Sequence, residues 1–148
     1  MTIQKTYHVE YAHRLDKHPR GCKNLHGHSG KVTVVLEGVV MSETGMIKDF
    51  GELGWLKDII DDFDHCLLLE IGDPYLDWIV KGINENQVPS IDIYKFVGRP
   101  TAEHCAGILG DKIKSYLAGI NEGYIRHPIK LKSIAFEETI GNEAKQEY

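Results

Sequence analysis

The sequence is short of several things, and each shortage excludes something. No apolar run in its 148 residues approaches the ~20 needed to span a bilayer, so no membrane helix is expected. The stretch Met1-Thr-Ile-Gln-Lys-Thr-Tyr7 lacks the apolar segment of a secretory leader. Cysteine is scarce: Cys22, Cys66 and Cys105 are an odd number without framework spacing. That argues against a disulfide scaffold and for reduced thiols in a cytoplasmic setting. A basic balance is missing too. The net charge of −5 disfavours non-specific binding to nucleic acid. There is no internal repeat and no low-complexity segment. What remains reads as one domain over 1–148, with ordinary apolar (42%) and charged (26%) content and enough length to bury a core.

The charge is unevenly spread. Residues 1–31 carry six Lys/Arg against Glu10 and Asp16, a local excess of +4 that leaves −9 for the rest. Within this basic part lies the most distinctive stretch, Cys22-Lys-Asn-Leu-His-Gly-His28. On a strand, the period of two puts His26 and His28 on one face, a ready pair of metal ligands. A catalytic zinc keeps three protein ligands and one open position. Cys22 is near enough to share the pocket, either as a fourth ligand or as a reactive thiol. A basic cluster beside a metal suits a small anionic ligand; a solvated basic loop is the alternative.

The rest of the chain supplies a frame for this stretch. Ile3, Tyr7, Val9, Tyr11 and His13 share one parity, which predicts a half-buried strand over 3–13 with His13 at the end of its inward face. A loop, Asp16 to Leu25, leads to a second strand from His26 to about Val40, whose inward set is His26, His28, Val32, Val34 and Leu36. Two consecutive strands thus bring three histidines to one sheet end. Glu43-Thr-Gly45 is a turn, and Asp49 with Glu52 resembles a capping box. Leu53, Leu56, Ile59, Ile60 and Phe63 then recur at helical spacing, with Gly51 and Gly54 weakening the first turn. Residues 70–98 form a long connection punctuated by Gly72-Asp-Pro74 and Val88-Pro-Ser90, with one short helix around Trp78, Ile79 and Ile83. Thr101 caps a second long helix with a buried stripe of Ala102, Cys105, Ala106, Leu109, Ile113, Tyr116 and Leu117. After Asn121-Glu-Gly123 come a strand at 129–138 and, past Gly141, a short one at Ala144–Tyr148. Ile134, Phe136 and Glu138 share one face. A carboxylate there is costly to bury without donors, which marks Glu138 as a ligand contact. The fold class is α+β, an antiparallel sheet with helices on one face.

Six short motifs then stand in order along the chain: Tyr11-Ala-His13, Cys22-x-x-x-His26-Gly-His28, Gly45-Met-Ile-Lys-Asp49-Phe50, Asp64-His65, Pro100-Thr-Ala-Glu103 and Glu138-Thr139. Together they resemble the 6-pyruvoyl-tetrahydropterin synthase family and, within it, the 6-carboxy-tetrahydropterin synthase branch of queuosine and deazaguanine biosynthesis. The resemblance implies the tunnelling fold, a ββααββ unit with two helices on one face of an antiparallel sheet, of which several copies close a barrel. A homo-oligomer is implied, a hexamer built as a dimer of trimers. It implies zinc on His13, His26 and His28, Cys22 as catalytic base, and Asp64 and His65 as a proton relay contributed by a neighbouring subunit. Glu138 would grip a pterin ring, with Thr101 and Glu103 lining the pocket and Lys23 beside the substrate.

The residue types suit that chemistry. Zinc on three neutral imidazoles keeps its double charge and acidifies a C–H beside a bound hydroxyl. A thiolate suits as base. Aspartate can orient a histidine that shuttles protons. The four-residue gap between Cys22 and His26 resembles the carboxy type. The implied reaction therefore turns 7,8-dihydroneopterin triphosphate into 6-carboxy-5,6,7,8-tetrahydropterin, acetaldehyde and triphosphate. The alternatives are the pyruvoyl-type triphosphate elimination, a non-catalytic pterin- or purine-binding module, and a structural zinc protein. The sequence departs from the family pattern at Gly30, where an aromatic is usual and looser packing beneath the metal is therefore expected. It departs also at Leu68-Leu69 in place of Leu-Asn, at His104 in place of Asn, and in the long link from His65 to Pro100. His8, His18, His127, Cys66 and Cys105 are expected to be structural or on the surface, as is His104, though of this set it is the first candidate for a site role.

Overall fold

Alternating apolar residues set the two longest strands, β1 (Thr2–His13) and β2 (His26–Glu37), which pair antiparallel from Thr2↔Glu37 to His13↔His26. The computed structural model describes residues 1–121 and 128–148. The turn expected at 122–123 and the role expected for His127 fall outside the described residues. β5 (Lys130–Thr139) pairs with β2, and β6 (Asn142–Glu147) with β5, both antiparallel. These four strands are the antiparallel unit expected from the sequence. β2 stops at Glu37, three residues before the expected end.

The core lies on the face that carries Val9, Val32, Val34, Leu36, Ile134 and Phe136, covered by two helices. The first, α1, is shorter than its periodicity suggests. Gly51 and Gly54 weaken the start, so Phe50–Leu53 forms a tighter 3₁₀ turn and only Gly54–Ile60 is α-helical. Asp49 caps that turn by accepting from the Gly51 N–H at 2.7 Å. The long helix at Ala102–Asn121 buries Cys105, Ala106, Leu109, Ile113 and Leu117, as its spacing predicts. Tyr116 departs from that stripe: it is largely exposed and stacks on Trp55 with ring centroids 4.3 Å apart.

The segment from Cys66 to Phe96 is more than a connection. It folds into β3 (Cys66–Glu70), α2 (Pro74–Asn84) and β4 (Ile93–Phe96), which makes the long helix at Ala102–Asn121 α3 in chain order. β3 pairs parallel with the end of β1 at Tyr11–His13, and β4 pairs parallel with β3. The sheet is therefore mixed and six-stranded, in the order β4-β3-β1-β2-β5-β6. The run Cys66-Leu-Leu-Leu69 is buried on both faces, as parallel strands require. Cys66 and Leu68 join the main core, whereas Leu67 and Leu69 meet Leu76 and Ile79 of α2 on the opposite face. Leu69 thus stands where the family pattern has Asn because it fills this second core. Asp73 caps α2 through the Tyr75 N–H at 2.8 Å and pairs in the interior with Arg14, the neighbour of His13. No helix among the described residues is long and apolar enough to cross a membrane.

Candidate functional site

The strand register builds the site. His13 faces His26 directly across the β1–β2 ladder, and Tyr11 faces His28, so all three imidazoles gather on the core face at one sheet end. The His13 Nε2 lies 3.2 Å from that of His26 and 3.1 Å from that of His28. The Nδ1 of His13 is 2.7 Å from the Pro100 carbonyl oxygen, and that of His26 is 2.8 Å from the Asn24 carbonyl oxygen. A carbonyl oxygen only accepts, so both Nδ1 atoms carry the proton and both Nε2 atoms present lone pairs. Lone pairs this close repel unless a cation lies between them. A tetrahedral zinc with bonds of about 2.0–2.1 Å spaces its ligand atoms by about 3.3–3.4 Å. The cluster fits such an ion, and the Nδ1 bonds are the outer contacts that fix a ligating histidine.

Electrostatics favour the ligand form. Burial lowers the pKa of His13 to about 4, with His26 and His28 adding repulsion against the Pro100 contact. Burial and the neighbouring His26 also lower that of His28. Both rings are neutral near pH 7, ready to bind a metal.

Glu138 completes the centre from β5. Its carboxylate oxygen lies 3.9 Å from His13 Nε2. Burial, and then the charge of Glu103, raise its pKa despite the nearby histidine and tyrosine. Glu138, Glu103, Gly141 and the start of β6 border a recess of about 360 Å³. Thr101 stands at the start of α3, where its hydroxyl holds the Glu103 carboxyl below the usual range. The recess presents acceptors, so it suits a ligand edge rich in N–H donors.

Cys22 and Lys23 occupy a 3₁₀ turn, Gly21–Lys23, in the loop joining His13 to His26. The turn is tied back where the Leu15 N–H donates to the Cys22 carbonyl at 2.8 Å. Cys22 is half-buried and Lys23 exposed, at the sheet end that carries the three histidines. The thiols of Cys66 and Cys105 are buried.

The Asp64–His65 pair is anchored at Glu10 and, among the described residues, makes no hydrogen bond or ion pair with the three imidazoles. Asp64 accepts from the Glu10 N–H at 2.8 Å and contacts the His65 ring at 3.0 Å. Burial opposes its ionisation, yet these two contacts hold the Asp64 pKa below the usual range. His65 adopts a left-handed backbone (φ 54°) and its side chain is 78% exposed. It lines a cavity of about 570 Å³ whose wall includes Glu10, Ala12, Gly27, Ser29 and Leu67 together with Tyr11, His28 and Cys66. Glu10, Ala12, Gly27 and Ser29 have the opposite parity to His13, His26 and His28, so most of this wall is the outer face of the sheet, while His28 borders it from the cluster.

Two features escape the sequence. The carbonyls of Pro100 and Asn24 that fix the imidazoles are backbone groups with no signal of their own. Tyr11 shares the parity of His13 and is readable only as a core residue. Its ring packs 5.3 Å from His13, 5.4 Å from His28 and 5.5 Å from Phe136, between centroids. The looser packing expected at Gly30 is therefore not found. A Cβ there would meet the Glu137 carbonyl at 2.8 Å and the Tyr11 ring at 3.2 Å.

Comparisons with known proteins agree with one another. A family model described as 6-pyruvoyl tetrahydropterin synthase matches residues 2–147. A 6-carboxy-5,6,7,8-tetrahydropterin synthase of Aquifex aeolicus is 28% identical over 97% of this chain and 95% of its own. Another, of Rickettsia bellii, is 30% identical over 75% of this chain and 80% of its own. Among solved structures, an uncharacterized protein from Wolinella succinogenes superposes with a TM-score of 0.78 at 24% identity, covering 99% of this chain and 97% of its own. The Caenorhabditis elegans 6-pyruvoyl tetrahydropterin synthase superposes with a TM-score of 0.67 at 22% identity, covering 100% and 95%. These likenesses show the fold.

Proposed function

The chain belongs to the 6-pyruvoyl tetrahydropterin synthase family, and on that premise we propose that it is a zinc-dependent 6-carboxy-5,6,7,8-tetrahydropterin synthase acting in queuosine and deazaguanine biosynthesis. It takes 7,8-dihydroneopterin triphosphate and water to 6-carboxy-5,6,7,8-tetrahydropterin, acetaldehyde and triphosphate, in a single domain spanning 1–148. One observation carries the reading: the imidazoles of His26 and His28 both come within 3.2 Å of His13 Nε2, beside a half-buried carboxylate. The carboxy branch is favoured by the names of the relatives and by the gap from Cys22 to His26.

His13, His26 and His28 hold the zinc, with Pro100 and Asn24 fixing two of the rings. When bound, zinc supplies Lewis acidity toward the hydroxyls of the substrate side chain. Glu138 accepts from the adjacent N–H and amino groups of the pterin, while Thr101 and Glu103 line the ring's pocket. Cys22 removes the side-chain proton, and Lys23 lies beside the anionic leaving group. His65, oriented by Asp64, moves protons to and from the substrate. Because His65 is open to solvent and its partner Asp64 is anchored at Glu10 on the outer face of the sheet, the pair serves the metal centre of another copy. A shared site of this kind supports a homo-oligomer, a hexamer as a dimer of trimers.

The test is product analysis. Zinc-loaded protein is incubated with 7,8-dihydroneopterin triphosphate, and the products are identified by mass with acetaldehyde trapped separately. Carboxy-pterin and acetaldehyde in equal amounts are expected. A pyruvoyl product without acetaldehyde would move the protein to the other branch, and no turnover would sink the enzyme reading.

A further inference from the structure

We propose that Tyr11 is a positioning residue for Glu138: its phenol fills the space above Gly30, and its hydroxyl backs the carboxylate so that Glu138 meets its ligand in one orientation. The inference rests on the reading of Glu138 as the group that grips a pterin.

Three observations carry it. The Tyr11 ring occupies the space between β1 and β2 that a side chain at residue 30 would take. A Cβ on Gly30 would lie 3.2 Å from Tyr11 Cε1, and the Glu137 carbonyl at 2.8 Å closes the other side. The ring is thereby clamped, with His13, His28 and Phe136 around it. Tyr11 is 5% exposed, and its hydroxyl oxygen is shielded from solvent without a well-formed hydrogen bond. A buried, unpartnered hydroxyl is rare and costly, and calls for a reason. The charged group brought to the same place is the Glu138 carboxylate, 3.9 Å from the His13 ring against which Tyr11 packs, and a phenol is a donor. The Cys105 thiol also flanks it, but a thiol is a weak acceptor.

The chemistry follows. A half-buried carboxylate with a free χ angle can offer its oxygens to a ligand in several ways. A donor fixed behind it takes up one lone pair and leaves the paired acceptors directed at the recess. That arrangement recognises two N–H donors side by side, as on a 2-amino-4-oxo pyrimidine ring. A 2,4-dioxo ring offers only one of them beside a carbonyl that the carboxylate repels. Tyr11 therefore acts on discrimination through Glu138, without itself touching the ligand.

Binding of two fluorescent probes to the zinc-loaded protein tests this: pterin (2-amino-4-oxopteridine) and lumazine (2,4-dioxopteridine). Wild type is expected to prefer pterin. Tyr11→Phe keeps the ring over Gly30 and the zinc content but loses affinity for pterin by about tenfold, with lumazine nearly unchanged. Tyr11→Met, which has no donor either, shows the same selective loss. Glu138→Gln loses pterin affinity further, and the double variant Tyr11→Phe/Glu138→Gln is no weaker than Glu138→Gln alone. Pterin bound equally by Tyr11→Phe and wild type would overturn the role of Tyr11 and leave the pterin reading standing. Losses that add in the double variant would do the same. A wild type that binds neither probe would remove the pterin reading and this inference together.

Discussion

The chain has two histidine sites, and they are built on opposite plans. His13, His26 and His28 sit on paired strands, with two rings fixed by backbone carbonyls, and His13 is only 2% exposed. The Asp64–His65 pair follows a helix, His65 with a left-handed backbone and its imidazole in the open beside a cavity walled mostly by the outer face of the sheet. The first is organised by its own chain before anything binds. The second has its carboxylate held by the Glu10 N–H but its imidazole 78% exposed. A sheet can position a rigid cluster on its own, whereas an exposed ring gains its surroundings from whatever covers it. The proposed division of labour follows from that difference: one site for the metal, the other for a proton carried to a second copy.

The largest effect separates the two sites outright. His26→Ala removes one of three ligands and leaves Asp64–His65 untouched. Zinc affinity falls by roughly a hundredfold or more, the scale already seen when only an outer contact of a ligand is lost. Turnover falls to background. Zinc content after dialysis and competition with a chromogenic chelator check the first, and an unchanged circular dichroism spectrum shows the fold intact. A variant that still holds one tight zinc per chain would end the three-histidine assignment.

His65→Ala should do the reverse, keeping zinc and lowering kcat by about 10²–10⁴. Mixing makes the contrast sharper. Cys22→Ala and His65→Ala, each strongly impaired, are dissociated together and reassembled; some sites then combine an intact Cys22 with a partner's intact relay pair. Recovered activity is the expected result. A mixture no more active than its components would put both groups in the same site of the same chain.

The two sites also differ in how far they were legible. Parity alone put His13, His26 and His28 on one face, because a strand's period of two is unforgiving. Glu138 was readable for the same reason, as a carboxylate on the parity of Ile134 and Phe136. The antiparallel strands and the buried stripe of α3 were likewise legible. The segment 66–98 was not. Cys66-Leu-Leu-Leu69 is buried on both faces and so shows no alternation, and an apolar run of this length is ambiguous between strand and helix. Its burial depends on α2, whose Leu76 and Ile79 come from later in the chain. For Asp64-His65 the sequence shows the residues but not the face, since a left-handed turn at His65 leaves no pattern. Tyr11 was visible only as core, because the empty space it fills is created by a glycine on the neighbouring strand.

The smallest of the expected effects is thermodynamic and belongs to the buried site alone. In metal-free protein His13 has a pKa lowered from 6.5 to about 4, chiefly by burial. The unfolded chain therefore takes up this proton before the folded one does. Stability is at its full value above pH 6.5 and declines as the pH falls toward 4, by about 1.4 kcal/mol per unit for one proton. Integrated over that window, His13 alone contributes a loss of about 3 kcal/mol. His28, lowered for the same reason, steepens the slope, whereas Glu138, with its raised pKa, opposes it. Urea unfolding of chelator-treated protein at pH 7.5, 6.0 and 5.0 reads the slope directly. His13→Asn should flatten it, while His65→Ala should leave it as it is. Equal slopes in wild type and His13→Asn would mean that the cluster is not held neutral by burial, and the contrast between the two histidine sites would lose its physical basis.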